Sequence, residues 1–439
     1  METVLLYIFG VVVIVIGLLL SIALHEIGHL VPAKKFGVRV GQYMIGFGKT
    51  LWSRKYGETE YGIKALPLGG YISMAGMYPP AHEGEAGRDA NTGFMETMLQ
   101  DSPGGVATHE SDERVFYKLA TWKRIIIMLG GPFMNLLIGI LLYAVVLCGF
   151  GTAQLTSSLG EVSECLIPAS SSATECTSDD PQAPAAAAGL LPGDRILSID
   201  GVTVSTADAV REIIQASPGE DLDLVIERAG AKKTITATPE LTVQYVTDDN
   251  GEPVLDSNGD ATTAEVGMLG ISFAAEIVRE PVTAVLPAVG DNIVRVAGII
   301  LRLPEKLVGV AKAAFGPEER DPNGPIGVIG IGRIAGEISS LESVPAEQRA
   351  AGLIGILASL NIALFVFNLV PLMPLDGGHV AAALWESIRR RVALLFGRRD
   401  PGPVDISKLL PLTMAVSVVL GLMTVLLMYA DIVKPITLQ

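Results

Sequence analysis

Four long apolar stretches constrain the fold of this chain more than any other feature of its sequence. They cover about residues 4–30, 124–150, 352–373 and 408–430. About 20 apolar residues suffice to cross a bilayer as a helix, which satisfies its own backbone hydrogen bonds. We therefore predict an α-helical multi-span membrane protein with four transmembrane helices. The composition agrees, since 49% of the 439 residues are hydrophobic.

Charge sets the direction of the predicted spans. Basic residues cluster between the first and second spans and again between the third and fourth: Lys34, Lys35, Arg39, Lys118, Lys123, Arg124, Arg389, Arg390, Arg391, Arg398 and Arg399. The positive-inside rule places such connections in the cytoplasm. We therefore expect a multi-pass protein of the cell membrane, with both termini and the segment 151–351 outside. The net charge of −15 argues against a nucleic-acid partner.

The first predicted span ends in an unusual polar sequence, SIALHEIGHL, at residues 21–30. An ionisable side chain in the middle of a bilayer costs roughly 2.5–3.5 kcal/mol, so three of them in five positions need an explanation. His25 and His29 share one face of a helix, and Glu26 lies beside the first histidine. H-E-x-x-H is the pattern of zinc metalloproteases, with two metal ligands and a general base. The alternative is a motif just past the membrane edge, where polar groups cost little.

The third predicted span supplies a candidate third ligand. By the parity of the spans it runs inward like the first, and it ends in NLVPLMPLDGGH, residues 368–379, at matching depth. A catalytic zinc takes three protein ligands, and two histidines with a carboxylate form an accepted set. Asp376 is therefore the predicted third ligand, and His379 is its rival. Taken alone, LDGG also fits a polar turn whose glycines adopt positive φ.

These two motifs resemble those of the site-2 protease family of intramembrane zinc metalloproteases. GFG at 46–48, YGIKALPLGGYISMAG at 61–76 and GGPFMN at 130–135 are also similar to family sequences. The whole chain resembles the bacterial branch that carries a PDZ domain, in its actinobacterial form. This resemblance implies a location in the bacterial plasma membrane, with the active site toward the cytoplasm.

The resemblance also assigns roles to four residues. It implies one catalytic zinc ion held by His25, His29 and Asp376, with Glu26 as the catalytic base. The implied enzyme is a zinc-dependent endopeptidase that cuts peptide bonds within or near the membrane segments of single-span proteins. Anti-sigma factors and remnant signal peptides are the implied substrates, cut in regulated intramembrane proteolysis after another protease has trimmed them.

Several residues outside the two motifs are candidates for positioning a substrate. Asn368 and Asn135 resemble family positions near the active site, although each could be an amide that packs helices together. Residues 41–76 alternate aromatic and β-branched residues with Gly-rich turns, which predicts strands. In the family this membrane-associated β-structure offers an edge to the substrate, and Gly69 and Gly70 would allow close backbone approach. The alternative is an ordinary cytoplasmic hairpin.

The segment between the second and third spans contains a predicted second domain. Residues 185–277 include a Gly-Leu-x-x-Gly-Asp turn, a strand, a helix and two further strands, which resemble an extracytoplasmic PDZ-like α+β domain. Such a domain would bind extended peptides by strand addition or would screen bulky substrates. In the preceding linker, Cys165 and Cys176 are predicted to form a disulfide in an oxidising exterior, the alternative being two thiols.

The predicted segments follow one another along the chain. They are the first transmembrane helix (1–31), a cytoplasmic segment (32–122) with hairpins (41–76) and a disordered acidic insertion (77–113), the second helix (123–150), a linker (151–184), the PDZ-like domain with a hairpin (185–277), amphipathic juxtamembrane helices (278–351), the third helix (352–373), the LDGG turn and basic loop (374–407), the fourth helix (408–430) and a tail (431–439). Disorder is expected in the insertion because its small polar residues bury little surface.

Two other functions fit parts of this pattern. A membrane metal transporter would also contain His and Glu clusters, but these would recur through the bilayer, whereas here they lie at the ends of spans. A scaffold without protease activity would use the PDZ-like domain alone, and the intact Glu26 argues against it.

Overall fold

The computed structural model describes residues 2–79, 88–91, 113–166, 176, 182–245, 262–322, 324–404 and 409–437. The chain divides into two compact units, one formed by Met1–Phe150 with Glu280–Gln439 and the other by Gly151–Arg279. Most of the predicted insertion, and residues 246–261 within the segment predicted as the PDZ-like domain with a hairpin, lie outside the described residues.

The first unit is mainly helical and the second is mainly a β-sheet. The helices are α1 (Glu2–Lys35), α2 (Thr121–Ala144), α3 (Pro184–Ala187), α4 (Ala207–Ala216), α5 (Val285–Leu301), α6 (Leu303–Phe315), α7 (Val328–Ser340), α8 (Ala346–Asn368), α9 (Asp376–Leu395) and α10 (Leu410–Val433). The strands are β1 (Val40–Tyr56), β2 (Thr59–Tyr78), β3 (Arg88–Asn91), β4 (Thr152–Val162), β5 (Arg195–Ile199), β6 (Val202–Thr203), β7 (Leu222–Arg228), β8 (Ala231–Ala237), β9 (Glu240–Tyr245), β10 (Thr263–Met268) and β11 (Ile271–Val278). A π-helical turn, Val145–Phe150, extends α2.

Among the described residues, five helical segments are long and apolar enough to cross a membrane: Glu2–Lys35, Thr121–Phe150, Val282–Leu301, Ala346–Asn368 and Pro411–Val433. Four of them coincide with the four predicted spans. The fifth lies where the sequence predicts juxtamembrane helices, and its charged residues Asp291 and Arg295 interrupt the apolar pattern. The count of four spans therefore stays a prediction, with the helix that contains α5 as the additional candidate.

The helices α1 and α2 approach closely because glycines face each other. A Cβ atom on Gly28 would collide with the carbonyl oxygen of Gly130, and one on Gly130 would collide with that of Gly28. Small residues of this kind let membrane helices pack backbone against backbone. A hydrogen bond joins α1 to α8 as well, since the buried Asn361 donates from Nδ2 to Ser21 Oγ over 2.9 Å. Both contacts lie near the H-E-x-x-H motif.

A buried ion pair holds α9 against α2. Arg124 donates to Glu386 through Nη2 (2.5 Å) and Nη1 (3.1 Å), and their side chains are 7% and 1% exposed. The Val404 amide donates to the same carboxylate over 3.0 Å. Burial would raise the pKa of Glu386, but the Arg124 guanidinium and the Val404 amide hold it below its usual value. A buried pair with this geometry fixes the position of one helix on the other.

The strands β1 and β2 form a long hairpin that packs on α1, as the pattern of residues 41–76 predicts. Residues 42–45 of β1 pair with both 60–63 and 70–73 of β2. The Tyr43 hydroxyl donates to the carbonyl oxygen of Ala23 over 2.8 Å, which ties the sheet to α1. Burial raises the pKa of Tyr43, so its hydroxyl stays neutral and remains a donor.

The second unit contains a sheet in the order β11-β4-β5-β7-β8, with β6 paired to β5 and with α4 packed on its core. The order of β5, β6, α4, β7 and β8 follows the sequence pattern, while the PDZ assignment stays a prediction. The linker predicted over 151–184 is wrong in one respect, because β4 lies inside the sheet between β11 and β5. Its Ser- and Thr-rich sequence resembles a linker, but Ser157 and Ser158 are buried.

Candidate metal centre

Two helices and one turn bring His25, His29 and Asp376 together. The histidines lie four residues apart on one face of α1, and Asp376 is the first residue of α9. The His25 and His29 Nε2 atoms are 3.2 Å apart, and each lies 3.4 Å from Asp376 Oδ2. Among the described residues, these three form the group of His, Cys, Asp or Glu side chains able to share one metal ion.

The second nitrogen of each imidazole orients its ring. His29 Nδ1 lies 2.7 Å from the carbonyl oxygen of Ile127 in α2, so Nδ1 carries the proton and Nε2 presents a lone pair. His25 Nδ1 lies 3.1 Å from Asn135 Nδ2, and Asn135 Oδ1 is buried without a hydrogen-bond partner among the described residues. Exchanging the amide oxygen and nitrogen makes Oδ1 the acceptor for His25 Nδ1–H. Both Nε2 atoms then face Asp376 with an available lone pair.

Close backbone packing presents Asp376. A Cβ on Gly377 would collide with the carbonyl oxygen of Val370, and one on Gly378 would lie 2.7 Å from Leu372 and Met373 backbone atoms. The glycines of LDGG thus allow α9 to begin against the preceding turn. The alternative interpretation of LDGG, a polar turn whose glycines adopt positive φ, does not fit the structure, because neither glycine adopts it.

The rival ligand His379 lies outside this group. It is buried on the same helix, and its Nδ1 has no hydrogen-bond partner among the described residues. Its ring lines a small cavity together with Arg124, Glu386 and Val404. The three-residue group therefore favours Asp376 over His379 as the third ligand.

The geometry of this group fits a zinc ion. Three donors on a tetrahedron with bonds of about 2.1 Å would be about 3.4 Å apart, which matches the separations of the three ligand atoms. Asp376 Oδ2 is buried without a hydrogen-bond partner among the described residues. Gly131 keeps the space open, because a Cβ there would collide with His29 Nε2 and would lie 2.7 Å from His25 Nε2.

Glu26 and the strand β2 lie next to each other beside this group. Glu26 is 5% exposed, and a Cβ on Gly70 would lie 2.9 Å from its Cγ. Gly69 adopts φ +127°, and a Cβ there would lie 2.7 Å from the Phe47 ring. Both glycines therefore lie where the sheet packs closely on neighbouring side chains of the same unit, and the approach of a substrate backbone to them stays a prediction.

The other predicted residues lie at different distances from the metal group. Asn135 contacts His25 directly, whereas Asn368, the half-buried last residue of α8, makes no hydrogen bond to the group. In the second unit, Cys165 and Cys176 are joined as a disulfide with Cα atoms 5.9 Å apart.

Sequence reasoning identified Asn135 as a candidate near the site but missed Ile127 and Gly131 of the same helix, α2. Ile127, Gly131 and Asn135 recur every four residues, so they share one helix face that covers the two histidines. This spacing around GGPFMN was the available signal for Gly131. No side-chain pattern reveals a carbonyl acceptor such as that of Ile127.

Comparison with known proteins finds relatives along the whole chain. The family model described as Peptidase family M50 matches residues 13–396. The chain is 34% identical to the Zinc metalloprotease Rip1 of Mycobacterium bovis over 445 residues, which cover 99% of each chain. It is 32% identical to the Zinc metalloprotease Rip1 of Mycolicibacterium smegmatis over 98% of each chain. It is 28% identical to the Metalloprotease MmpA of Caulobacter vibrioides over 84% of each chain.

Proposed function

Because the chain belongs to peptidase family M50, the site-2 proteases, we propose that it cuts single-span membrane proteins within or near their membrane segments. Like its family, it is a multi-pass membrane protein and a zinc-dependent metallopeptidase. The observation that carries this proposal is the meeting of His25, His29 and Asp376 beside Glu26. Anti-sigma factors or remnant signal peptides, trimmed first by another protease, are the proposed substrates.

We assign roles to these residues from their geometry. His25, His29 and Asp376 would hold the zinc ion, and Glu26 would be the catalytic base. Bound zinc supplies Lewis-acid chemistry, which acidifies water and polarises a carbonyl group. Glu26 takes the proton of the attacking water and returns it to the leaving amine. Asn135 and the Ile127 carbonyl hold the two imidazoles in the tautomer that directs Nε2 toward Asp376.

The strand β2 is the proposed support for the substrate backbone. A membrane helix shields its peptide bonds, and unsatisfied backbone groups in a bilayer cost several kcal/mol each. A substrate segment that unwinds therefore needs new hydrogen-bond partners, and β2 passes Glu26 at Gly70. Asn368 is a second proposed donor to the substrate backbone. Glycine or proline near the scissile bond of a substrate should then speed cleavage, and a run of leucines should slow it.

The proposed orientation follows from the basic connections. The metal group would lie toward the cytoplasm and the unit 151–279 outside, where its PDZ-like fold would bind or screen substrates. Cysteines introduced near residue 210 should react with an impermeant reagent in intact cells, and those near residue 395 should react only after permeabilisation. Labelling of residue 395 from outside would overturn this orientation.

The test of the proposed function separates metal binding from catalysis. Purified wild-type protein should carry about one zinc equivalent, Glu26→Gln should keep the zinc and lose cleavage of a single-span substrate, and Asp376→Ala should lose most of the zinc. His379→Ala is the matched control and should keep it. Zinc retained in Asp376→Ala but lost in His379→Ala would show that the third ligand is assigned wrongly.

A further inference from the structure

The helix α9 has two faces of different character. One face is buried and carries Asp376, His379 and Glu386. The opposite face carries four apolar residues at helical spacing: Trp385 (60% exposed), Ile388 (53%), Val392 (45%) and Leu395 (83%). An apolar stripe on a helix is normally buried. The described part of the chain leaves this stripe uncovered.

Unpaired positive charge lies beside the stripe. Arg389 donates to the carbonyl oxygen of Gly402, and Arg390 pairs with Glu386. The remaining three arginines at this end are exposed and make no ion pair with a described residue: Arg391, Arg398 and Arg399. The chain carries a formal charge of −15, so this basic group is a local exception. An apolar helix face flanked by arginines is the arrangement that binds an anionic membrane surface.

The ion pair between Arg124 and Glu386 fixes the depth of this stripe relative to the membrane. It fixes the middle of α9 beside the first turn of α2. Trp122 precedes Arg124 by two residues and Trp385 directly precedes Glu386, and both indoles are more than half exposed. Exposed tryptophans of membrane proteins concentrate at the level of the lipid headgroups. The stripe therefore begins at the membrane interface where α2 enters.

We propose that this face of α9 docks on anionic phospholipids. The docking surface, hereafter the α9 surface, consists of Trp385, Ile388, Val392 and Leu395 with Arg391, Arg398 and Arg399. The apolar stripe sinks between the headgroups, and the three guanidinium groups bind their phosphates. Because Asp376 is the first residue of α9, the lipid also restrains the third ligand. This last step rests on the proposed metal role of Asp376.

Fluorescence in lipid nanodiscs tests the docking directly. The full-length zinc-loaded protein with W52F/W122F retains Trp385 as its single tryptophan. Brominated phosphatidylglycerol should quench Trp385 at least about twofold more strongly than brominated phosphatidylcholine at equal mole fraction. The variant R391Q/R398Q/R399Q should lose this preference. The variant R279Q/R295Q/R302Q is the control, since it removes the same charge from exposed residues elsewhere, and it should keep the preference.

Each alternative occupant gives a different result. Equal quenching by the two lipids, or a preference that survives R391Q/R398Q/R399Q, would overturn the proposal. Relief of the preference by excess inorganic phosphate would reveal a site for free phosphate and would also overturn it. A protein covering the α9 surface would shield Trp385 from both lipids, with the same consequence. Native mass spectrometry of the wild type provides a second measure, because it should retain phosphatidylglycerol and the triple variant should not.

The link to the third ligand has its own measurement. Zinc release to a chelator should be several-fold slower in nanodiscs with phosphatidylglycerol than in neutral ones, and this difference should vanish in R391Q/R398Q/R399Q. Lipid preference without any effect on zinc release would overturn the link to Asp376. Lipid preference in a protein that binds zinc through another residue would overturn the proposed ligand set and leave the docking intact.

Discussion

Two buried aspartates, Asp376 in the first unit and Asp194 in the second, show how differently the two regions use a carboxylate. Asp194 accepts hydrogen bonds from the Leu191 amide (2.8 Å) and from Arg228 Nε and Nη2 (2.6 and 2.7 Å). Asp376 Oδ2 has no such donor among the described residues and faces two imidazole nitrogens. Buried polar atoms are nearly always satisfied. The contrast indicates that Asp194 stabilises the fold, and it supports the proposal that Asp376 binds a metal ion.

Replacing each aspartate with asparagine should give the largest difference between the two regions. Asp376→Asn should lower zinc affinity by at least about 100-fold while leaving the apo-protein about as stable as before, since Asp376 Oδ2 is buried and has no hydrogen-bond partner to lose among the described residues. Asp194→Asn should keep the zinc and destabilise the unit 151–279 by about 1–3 kcal/mol, because Arg228 loses its partner. Zinc competition and hydrogen exchange of the β5 and β7 amides measure the two effects. Global unfolding of Asp376→Asn would contradict the comparison.

Placing a methyl group from α2 at the proposed zinc position should have the next largest effect. In Gly131→Ala the new Cβ would occupy the space between the two histidine Nε2 atoms, so zinc content should fall at least about tenfold. The change should not weaken α2, because alanine favours a helix by roughly 1 kcal/mol over glycine. Gly149→Ala is the control, since a Cβ there meets no atom within 4 Å. Full zinc occupancy in Gly131→Ala would show that the ion binds elsewhere.

The orientation of the Asn135 amide gives a third effect, of the same order as that of Gly131→Ala. Asn135→Ala should weaken zinc binding about 10–100-fold, because His25 loses the partner that fixes its tautomer. Asn135→Asp should retain most of the affinity if the oxygen is the acceptor, since a carboxylate accepts the same hydrogen bond. Zinc titration of the two variants decides the matter. An aspartate variant as weak as the alanine variant would mean that Nδ2 donates to His25.

The smallest expected effect is the pH dependence of the second unit. Burial would raise the pKa of Asp194, but the hydrogen bonds from Arg228 hold it below the usual value. This stabilisation is fully present above the unfolded pKa of about 3.9 and is lost as pH falls through the lower folded value. Hydrogen exchange of the second unit, corrected for intrinsic rates, should reveal this loss in the wild type and not in Asp194→Asn. Equal profiles would assign the acid sensitivity to other carboxylates.

The sequence predicts the elements of the site better than their surroundings. His25, His29 and Asp376 could be found because hydropathy and charge place two polar span ends at one depth. The Ile127 carbonyl could not, because a backbone acceptor has no residue signature. The strand β4 was missed because serine is a polar residue that usually indicates a loop. Its serines are buried only because β4 pairs inside the sheet. The glycines of LDGG were identified, but glycine is required there because the backbone packs closely against the preceding turn. The sequence does not reveal the path of that turn.

The ion pair between Arg124 and Glu386 has a consequence for biosynthesis. Its two residues are 262 positions apart in the chain. At about 5–20 residues per second, a ribosome needs roughly 13–50 s to travel that distance. For most of this interval α1 and α2 are already made, while the residue that begins α9 and the carboxylate that anchors it do not yet exist. A nascent chain therefore contains both histidines before it contains Asp376, so the proposed zinc site can form only after α9 has been synthesised.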